Sequence, residues 1–183
     1  MKRITKRNIQ KQNILSLDAA SHHTGFAIYS NGRIIQSGTW HLNPNEWQTE
    51  LYNRIQNAFN QYQITYVIAE GIFYSAPKNA SKKEKAIRQN IYKILLECHN
   101  IIQTICKNNE IPVSFIKPLE VKKKFLGSFN TWKCNRTQLK AKTIQKVLSY
   151  GYELENTTSD DESDAISFLI VELADKITHP NSH

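Results

Sequence analysis

Residues 13–39 read NILSLDAASHHTGFAIYSNGRIIQSGT, three apolar runs separated by polar segments. The runs predict strands over 13–18, 25–30 and 33–39. Asn31-Gly32, between the last two runs, is a strong hairpin signal, because this pair fits the tight turns that join antiparallel strands. The fold therefore begins with strands, and the last two form a hairpin.

Helical and strand-like patterns alternate after this stretch. Apolar residues at helical spacing predict helices, and short buried runs predict strands. The predicted elements are, in order, a helix at about 46–62, a strand at 64–70, a long helix that follows a polar stretch at 74–85 and ends near 107, a strand at 111–116, and helices at 118–126, around 139–148 and at 161–177. The order βββαβαβααα predicts an α/β protein whose mixed sheet is packed against helices.

Acidic residues lie where these patterns begin or end. Asp18 and Glu70 each end a strand-like run, where a carboxylate is poorly hydrated and needs a partner such as a cation to stay charged. Asp161 and Asp164 share one face at the start of the last helix, where anions are favoured. Convergent carboxylates predict a Mg²⁺ or Mn²⁺ site, whereas helix capping is the simpler role for either helical acid alone. Asp160 is also a neighbour of Asp164, so the register of the pair stays open.

The charge balance indicates a polyanionic partner. The 183 residues carry 24 Lys and Arg against 16 Asp and Glu, which gives a net charge of +8. Such a chain attracts nucleic acid, so the expected substrate of the metals is a phosphodiester. On charge alone, a basic protein without such a partner is the alternative.

Length and cysteine content restrict the class of protein to which the chain can belong. The chain is long enough for one domain with a substantial core, which we expect to span 13–178, between a basic arm at 1–12 and a short tail at 179–183. Three cysteines without CxxC spacing fit a reducing compartment and argue against zinc. No apolar run approaches the roughly 18 residues that span a bilayer, and the arm lacks the apolar stretch of a secretory signal.

Residues 17–26, LDAASHHTGF, are similar to a strand-turn-strand motif, Asp-Pro-Gly-Ser-x-x-Thr-Gly-[Tyr/Phe]. This motif is typical of RuvC-type Holliday-junction resolvases, a branch of the RNase H-like superfamily. Ala19 and Ala20 replace the Pro and Gly of the pattern, while the acid, Ser21 and Thr24-Gly25 are kept. The final acids resemble the family's Asp-x-x-Asp-Ala, and Ala165 after Asp164 favours Asp161 over Asp160 as the first acid of the pair.

Glu70-Gly71-Ile72-Phe73 is similar to the family's Glu-x-x-Phe. The resemblance implies that Glu70 binds metal and that Phe73 inserts into the junction, where an aromatic ring can stack on an unpaired base. Packing of Phe73 in the core is the alternative. Lys78 lies in a segment that resembles the basic loop before the family's long helix.

Residues 121–128 resemble the family's Val-Lys-x-x-[apolar]-x-Gly segment, which places a family lysine at Lys122. A second family lysine follows that glycine. Arg136 occupies the matching context, and Lys133 is its rival. Either cation is suited to hold the scissile phosphate or to stabilise the charged transition state.

The resemblance covers nearly the whole chain after the arm. It implies an RNase H-like fold, a five-stranded mixed sheet of three antiparallel strands followed by parallel strands, with helices on both faces. It further implies a crossover junction endodeoxyribonuclease of DNA recombination and repair that holds two Mg²⁺ or Mn²⁺ ions and leaves 5′-phosphates. The implied catalytic and metal-binding residues are Asp18, Glu70, Asp161 and Asp164. Paired symmetric nicks in branched DNA require two active sites and hence a C₂ homodimer.

Alternatives remain within and outside the nuclease class. RNase H proper usually begins a helix with its second acid, whereas Glu70 ends a strand, which favours the resolvase branch; a fork or flap nuclease is a further alternative. A non-catalytic junction-binding protein would gain from losing acids beside phosphates, so the four acids argue against it. We expect the cytoplasm, at the nucleoid or in a viral host cell, with the mitochondrion as the alternative, and no membrane partner.

Overall fold

The computed structural model describes residues 12–72, 81–127, 134–154 and 160–178. Within these ranges the strands are β1 (Ile14–Asp18), β2 (His23–Ser30), β3 (Arg33–His41), β4 (Tyr66–Glu70) and β5 (Val113–Ile116). The helices are α1 (Trp47–Tyr62), α2 (Lys82–Asn108), α3 (Pro118–Leu126), α4 (Arg136–Ser149) and α5 (Asp160–Thr178). The predicted order of elements is confirmed.

The strands form one mixed sheet in the order β3-β2-β1-β4-β5. β1, β2 and β3 are antiparallel neighbours, whereas β4 pairs in parallel with β1 and with β5. The β2–β3 turn uses Asn31 and Gly32, with φ angles of 52° and 85°, as expected where both central residues of a hairpin turn need positive φ. The predicted fold class, three antiparallel strands followed by parallel ones, is confirmed.

Helices cover both faces of this sheet. One face packs on α1 and α2 through an apolar cluster that includes Leu15, Leu17, Leu51, Ile55, Phe59, Ile102 and Ile105. The other face packs on α3, α4 and α5 through Ile14, Ile68, Phe125, Val147, Phe168 and Leu169. Each face is a separate core, because successive side chains of a strand point to opposite sides.

Several boundaries differ from the predicted ones. β2 begins at His23 and β3 extends to His41, because these two residues pair across the strands. The predicted start of this strand, at residue 25, is therefore two residues late. α2 begins at Lys82, within the stretch predicted to be polar and non-helical, since Ser81 and Glu84 form a capping box that starts the helix.

The apolar side chains along α2 divide between core and surface. Cys98, Ile102 and Ile105 are buried against the sheet, whereas Ile87 and Ile91 are 52% and 51% exposed. Residues 81–91 are exposed throughout. The first turns of α2 therefore extend beyond the core. None of the described helices is long and apolar enough to cross a membrane.

Candidate active site

β1 and β4 end side by side. They are parallel neighbours paired up to the residue before each terminal acid, so Asp18 and Glu70 are adjacent. Ser16, two residues before Asp18, donates from Oγ to the carbonyl oxygen of Ala165 in α5, at 2.7 Å. Since side chains alternate along a strand, both carboxylates face α5.

The first turn of α5 meets the sheet at Gly25. This residue of β2 lies opposite Asp18, and a Cβ built on it would stand 2.0 Å from the carbonyl oxygen of Asp161. That distance is far shorter than any non-bonded contact, so only glycine admits the helix here. The close approach brings Asp161 and Asp164 towards Asp18.

Electrostatic coupling confirms the proximity of the four acids to one another. Burial raises the pKa of Asp18 well above its usual value, and the nearby charges of Glu70, Asp164 and Asp161 raise it further. Burial also raises the pKa of Glu70, of Asp161 and of Asp164. The hydrogen bond between the two strand acids raises the pKa of Asp18 and lowers that of Glu70.

Cations from α3 and α4 border this group. Lys122 donates from Nζ to Asp164 Oδ2 at 2.9 Å. Burial raises the pKa of Asp164 by more than the charge of Lys122 lowers it, so the net shift is upward. Arg136, the first residue of α4, also lowers the pKa values of Glu70, Asp161 and Asp164. The predicted cations Lys122 and Arg136 therefore lie beside the acids.

The donor set is suited to a hard cation. Its oxygens are carboxylates, the ligands that Mg²⁺ and Mn²⁺ prefer, and Asp164 Oδ1 is buried without a hydrogen-bond partner among the described residues. Asp18 is hydrogen-bonded to Glu70, and Lys122 to Asp164. Within the described ranges, no three His, Cys, Asp or Glu side chains form a ready metal-ligand group. The residues fit such a metal because their donors are carboxylate oxygens and because Asp164 Oδ1 lacks a hydrogen-bond partner among the described residues.

Asp160 makes a different contact from Asp161. Its carboxylate forms a salt bridge with Lys140 of α4, whereas Asp161 is the residue that raises the pKa of Asp18. The geometry therefore favours Asp161 as the partner of Asp164. Lys140 borders the site and lowers the pKa of Asp161.

Three predicted DNA-contacting residues, Phe73, Lys78 and Lys133, lie outside the described residues. Their assignments stay predictions. The segments that contain them begin three residues after Glu70 and end three residues before Arg136, both of which lie at the site.

Sequence reasoning missed two contacts around the acids. Ser37 of β3 donates from Oγ to Glu162 Oε1 at 2.7 Å, and Glu162 is 0% exposed. His23 and His41 face each other across β2 and β3, with their Nδ1 atoms 2.9 Å apart, and His23 lowers the pKa of Asp161. Neither contact has a local signal, because both depend on which distant residues the strands and α5 bring together.

Solved structures with the same architecture identify the fold. Thermus thermophilus RuvC in complex with a Holliday junction substrate matches with a TM-score of 0.64 at 10% identity, over 92% of this chain and 97% of that chain. The chain has the RuvC-type RNase H-like fold. T. thermophilus RuvC on its own matches this RuvC-like chain with a TM-score of 0.61 at 13% identity, over 92% and 98% of the two chains.

A mitochondrial relative of this fold also matches. The yeast mitochondrial Holliday junction resolvase Ydc2 has a TM-score of 0.51 at 12% identity, and the match covers 92% of this RuvC-like chain and 82% of Ydc2. No protein-family model matches the sequence, and no curated protein matches it closely enough to count as a relative. At these identities, the likeness establishes the fold alone.

Proposed function

We propose that this RuvC-like protein is a metal-dependent endonuclease that resolves four-way DNA junctions in recombination and repair. The convergence of four carboxylates, one buried at Asp164 and three half-buried, at the ends of β1 and β4 and at the start of α5 carries the proposal. The net charge of +8 supports a polyanionic substrate. A structural neighbour, T. thermophilus RuvC, is bound to such a junction.

The acids would hold two Mg²⁺ or Mn²⁺ ions. Bound there, the ions would supply an activated water and stabilise the leaving 3′-oxygen of an in-line displacement that leaves a 5′-phosphate. Asp18 is the residue suited to be shared, since the charges of Glu70, Asp161 and Asp164 all act on it. Its pKa is raised, so a neighbouring cation would favour its ionised form.

Lys122 and Arg136 would hold the scissile phosphate and the charge that develops on it. Lys122 is tied to Asp164, so its ammonium lies within reach of groups bound at the acids. Arg136 is an exposed cation at the edge of the site, and its planar guanidinium suits bidentate contact with phosphate. Because arginine stays protonated, its role is electrostatic rather than proton transfer.

We extend the DNA-binding surface to Phe73, Lys78 and Lys133. Chain connectivity supports this, because both segments adjoin site residues within about 10 Å of extended chain. Lys78 and Lys133 would neutralise backbone phosphates, and Phe73 would stack on a base opened at the junction centre. Phe73→Ala should slow cleavage of an intact junction more than of one with mismatched central bases, since the unstacking cost is then already met.

We also propose a C₂ homodimer of a single nuclease domain that spans 13–178. Paired symmetric nicks need two active sites. The exposed Ile87 and Ile91 lie one turn apart on α2 and offer the second copy an apolar contact. Light scattering should give a dimer for wild type and a monomer for Ile87→Glu/Ile91→Glu, with Leu119→Glu, at a 57% exposed leucine of α3, as the control. A monomeric wild type, free and on DNA, would rule out paired resolution.

The decisive experiment compares substrates with and without metal. Synthetic four-way junctions, forks, flaps, RNA–DNA hybrids and duplexes are incubated with Mg²⁺ or with EDTA. We expect symmetric nicks in the four-way junction, in Mg²⁺ alone. Cleavage of the RNA strand of a hybrid would indicate an RNase H, preference for forks or flaps would indicate a different structure-selective nuclease, and binding without cutting would indicate a non-catalytic junction protein.

A further inference from the structure

We infer that the hydrogen bond from Ser37 to Glu162 is a positioning contact that sets the acids of α5 against Asp18 of β1. The inference rests on the proposed metal site. Ser37 and Glu162 are separated by 125 residues in sequence, and neither belongs to the four acids. Their contact joins β3, which carries none of these acids, to the first turn of the helix that carries two.

Burial of the Glu162 carboxylate costs free energy of folding. It is 0% exposed, and it lies between Asp161 and Asp164 in a region already crowded with carboxylates. A buried carboxylate needs hydrogen bonds to offset its desolvation, whereas a plain core contact would be served by an apolar side chain. The Glu162 carboxylate therefore has a role as a hydrogen-bond acceptor besides packing.

Ser37 and Gly25 act on consecutive residues of α5. Gly25 of β2 stops the helix at Asp161, where the backbone oxygen would meet any Cβ at 2.0 Å. Ser37, on the neighbouring strand, holds the next residue, Glu162, at 2.7 Å. A steric stop and a hydrogen bond one residue apart fix both the height and the rotation of this turn over the sheet.

The positions of Asp161 and Asp164 depend on the placement of this turn. Asp161 and Asp164 lie on one face of the turn, so rotation of the helix would move both carboxylates relative to Asp18. One turn further along, Ser16 holds the carbonyl oxygen of Ala165, which ties α5 to β1. The β2–β3 hairpin therefore sets the spacing between the helical and the strand acids.

The test measures metal affinity and fold stability separately, in the full chain without DNA. Mn²⁺ binding is followed by the electron paramagnetic resonance signal of the free ion, and melting temperature is measured in EDTA. Ser37→Ala should weaken Mn²⁺ binding by about 10-fold, the lower range for outer-shell partners of metal ligands. Ser37→Thr, which keeps the hydroxyl, should restore it.

Ser30→Ala is the matched control. Ser30 donates to Asn13 Oδ1 at the same distance, 2.7 Å, at the far end of β2. Both alanine variants lose one hydrogen bond and some thermal stability, but Ser30→Ala should keep wild-type Mn²⁺ affinity. Wild-type affinity in Ser37→Ala, or an equal loss in Ser30→Ala, would overturn the inference.

Substitutions at Glu162 test the other partner. Glu162→Gln still accepts the hydrogen bond and should bind Mn²⁺ like wild type, whereas Glu162→Met, of similar size without an acceptor, should lose about 10-fold, like Ser37→Ala. Wild-type affinity in Glu162→Met would contradict the inference even if Ser37→Ala did not fold. A protein that binds Mn²⁺ through Asp18 yet cuts no junction would refute the proposed function and leave this inference standing; no Mn²⁺ binding at all would refute both.

Discussion

Leu17 and Asp18 are consecutive residues of β1, yet they lie on opposite faces of the same sheet. Leu17 is fully buried in the apolar cluster beneath α1 and α2, whereas Asp18 faces α5 among three other acids. Among the described residues, the first face buries mainly apolar side chains and cysteines. The second combines an apolar core with carboxylates, serines and lysines. Consecutive residues of one strand thus serve different roles: Leu17 packs in the core, and Asp18 belongs to the candidate active site.

The acidic face works against folding. Burial and like charge raise the pKa of Asp18, so ionising it in the folded protein is unfavourable without a cation. Functional sites commonly carry such destabilising groups. Both apolar clusters can offset the acids, and the one beneath α1 and α2 includes none of them.

The largest expected effect comes from Asp18→Asn. Cleavage of a four-way junction in Mg²⁺ should fall by on the order of 10³-fold or more, as in other removals of a central catalytic group. Junction binding should persist or tighten, because one negative charge facing phosphate is lost. Gel assays of cutting and binding on the same junction check both. If Asp18→Asn cuts normally, the metal-site assignment is wrong.

Junction binding should depend steeply on salt. Several contacts between Lys or Arg and phosphate should reduce affinity by about 10³-fold or more between low and moderate salt. Arg136→Gln, at the acidic site, should lower the slope of log K against log salt by about one. Arg54→Gln, at an exposed position of α1 beneath the other face, should leave the slope unchanged. A flat titration of the wild type would contradict backbone-dominated binding.

Leu17→Ala should reduce stability and leave cleavage nearly unchanged, the opposite of the effect expected for Asp18→Asn. The free energy of unfolding should fall by about 2–5 kcal/mol, because a buried leucine leaves a cavity among packed neighbours. Cleavage per folded molecule should change little, since the side chain points away from the acids. Urea unfolding and single-turnover cleavage measure the two effects. A loss of cleavage without a loss of stability would show that the faces are not separable.

The same alternation explains which parts of the molecule could be predicted from sequence. The strands that end in Asp18 and Glu70, and the turn at Asn31-Gly32, have local signals, because apolar runs and turn chemistry act on neighbouring residues. The parallel pairing of β1 and β4 then brings the two acids together. The Ser81–Glu84 capping box was also visible in the sequence, but the polar composition around it concealed the start of α2.

Contacts between distant segments could not be predicted. The register that places His23 opposite His41 depends on a whole hairpin. The approach of α5 to Gly25 and the bond from Ser37 to Glu162 depend on how a helix more than 100 residues later packs on that hairpin. A pattern within one segment carries no information about such pairings.

A smaller effect concerns pH in EDTA. Asp18 has a usual value of 3.8 and a strongly raised pKa in the folded protein, so above about pH 4 the unfolded chain releases a proton that the folded chain keeps. Wild type should therefore lose stability relative to Asp18→Asn as pH rises from about 4 towards the folded pKa. Thermal melts of both proteins over this range measure the difference. A constant difference would mean that Asp18 titrates normally in the folded state.

The smallest effect is expected one residue from the acidic pair. Asp160 forms its salt bridge with Lys140, and both side chains are partly exposed, whereas Asp161 acts on Asp18. Asp160→Asn should therefore change cleavage less than about 3-fold, since a partly exposed ion pair contributes at most about 1 kcal/mol, while Asp161→Asn should approach the loss seen for Asp18→Asn. Mg²⁺ titrations of cleavage compare the two variants, because loss of a ligand raises the metal concentration required and loss of a surface ion pair does not. The reverse ranking would place Asp160 with Asp164 at the metals, and would mean that α5 turns by about 100° from the orientation that Gly25 and Ser37 hold.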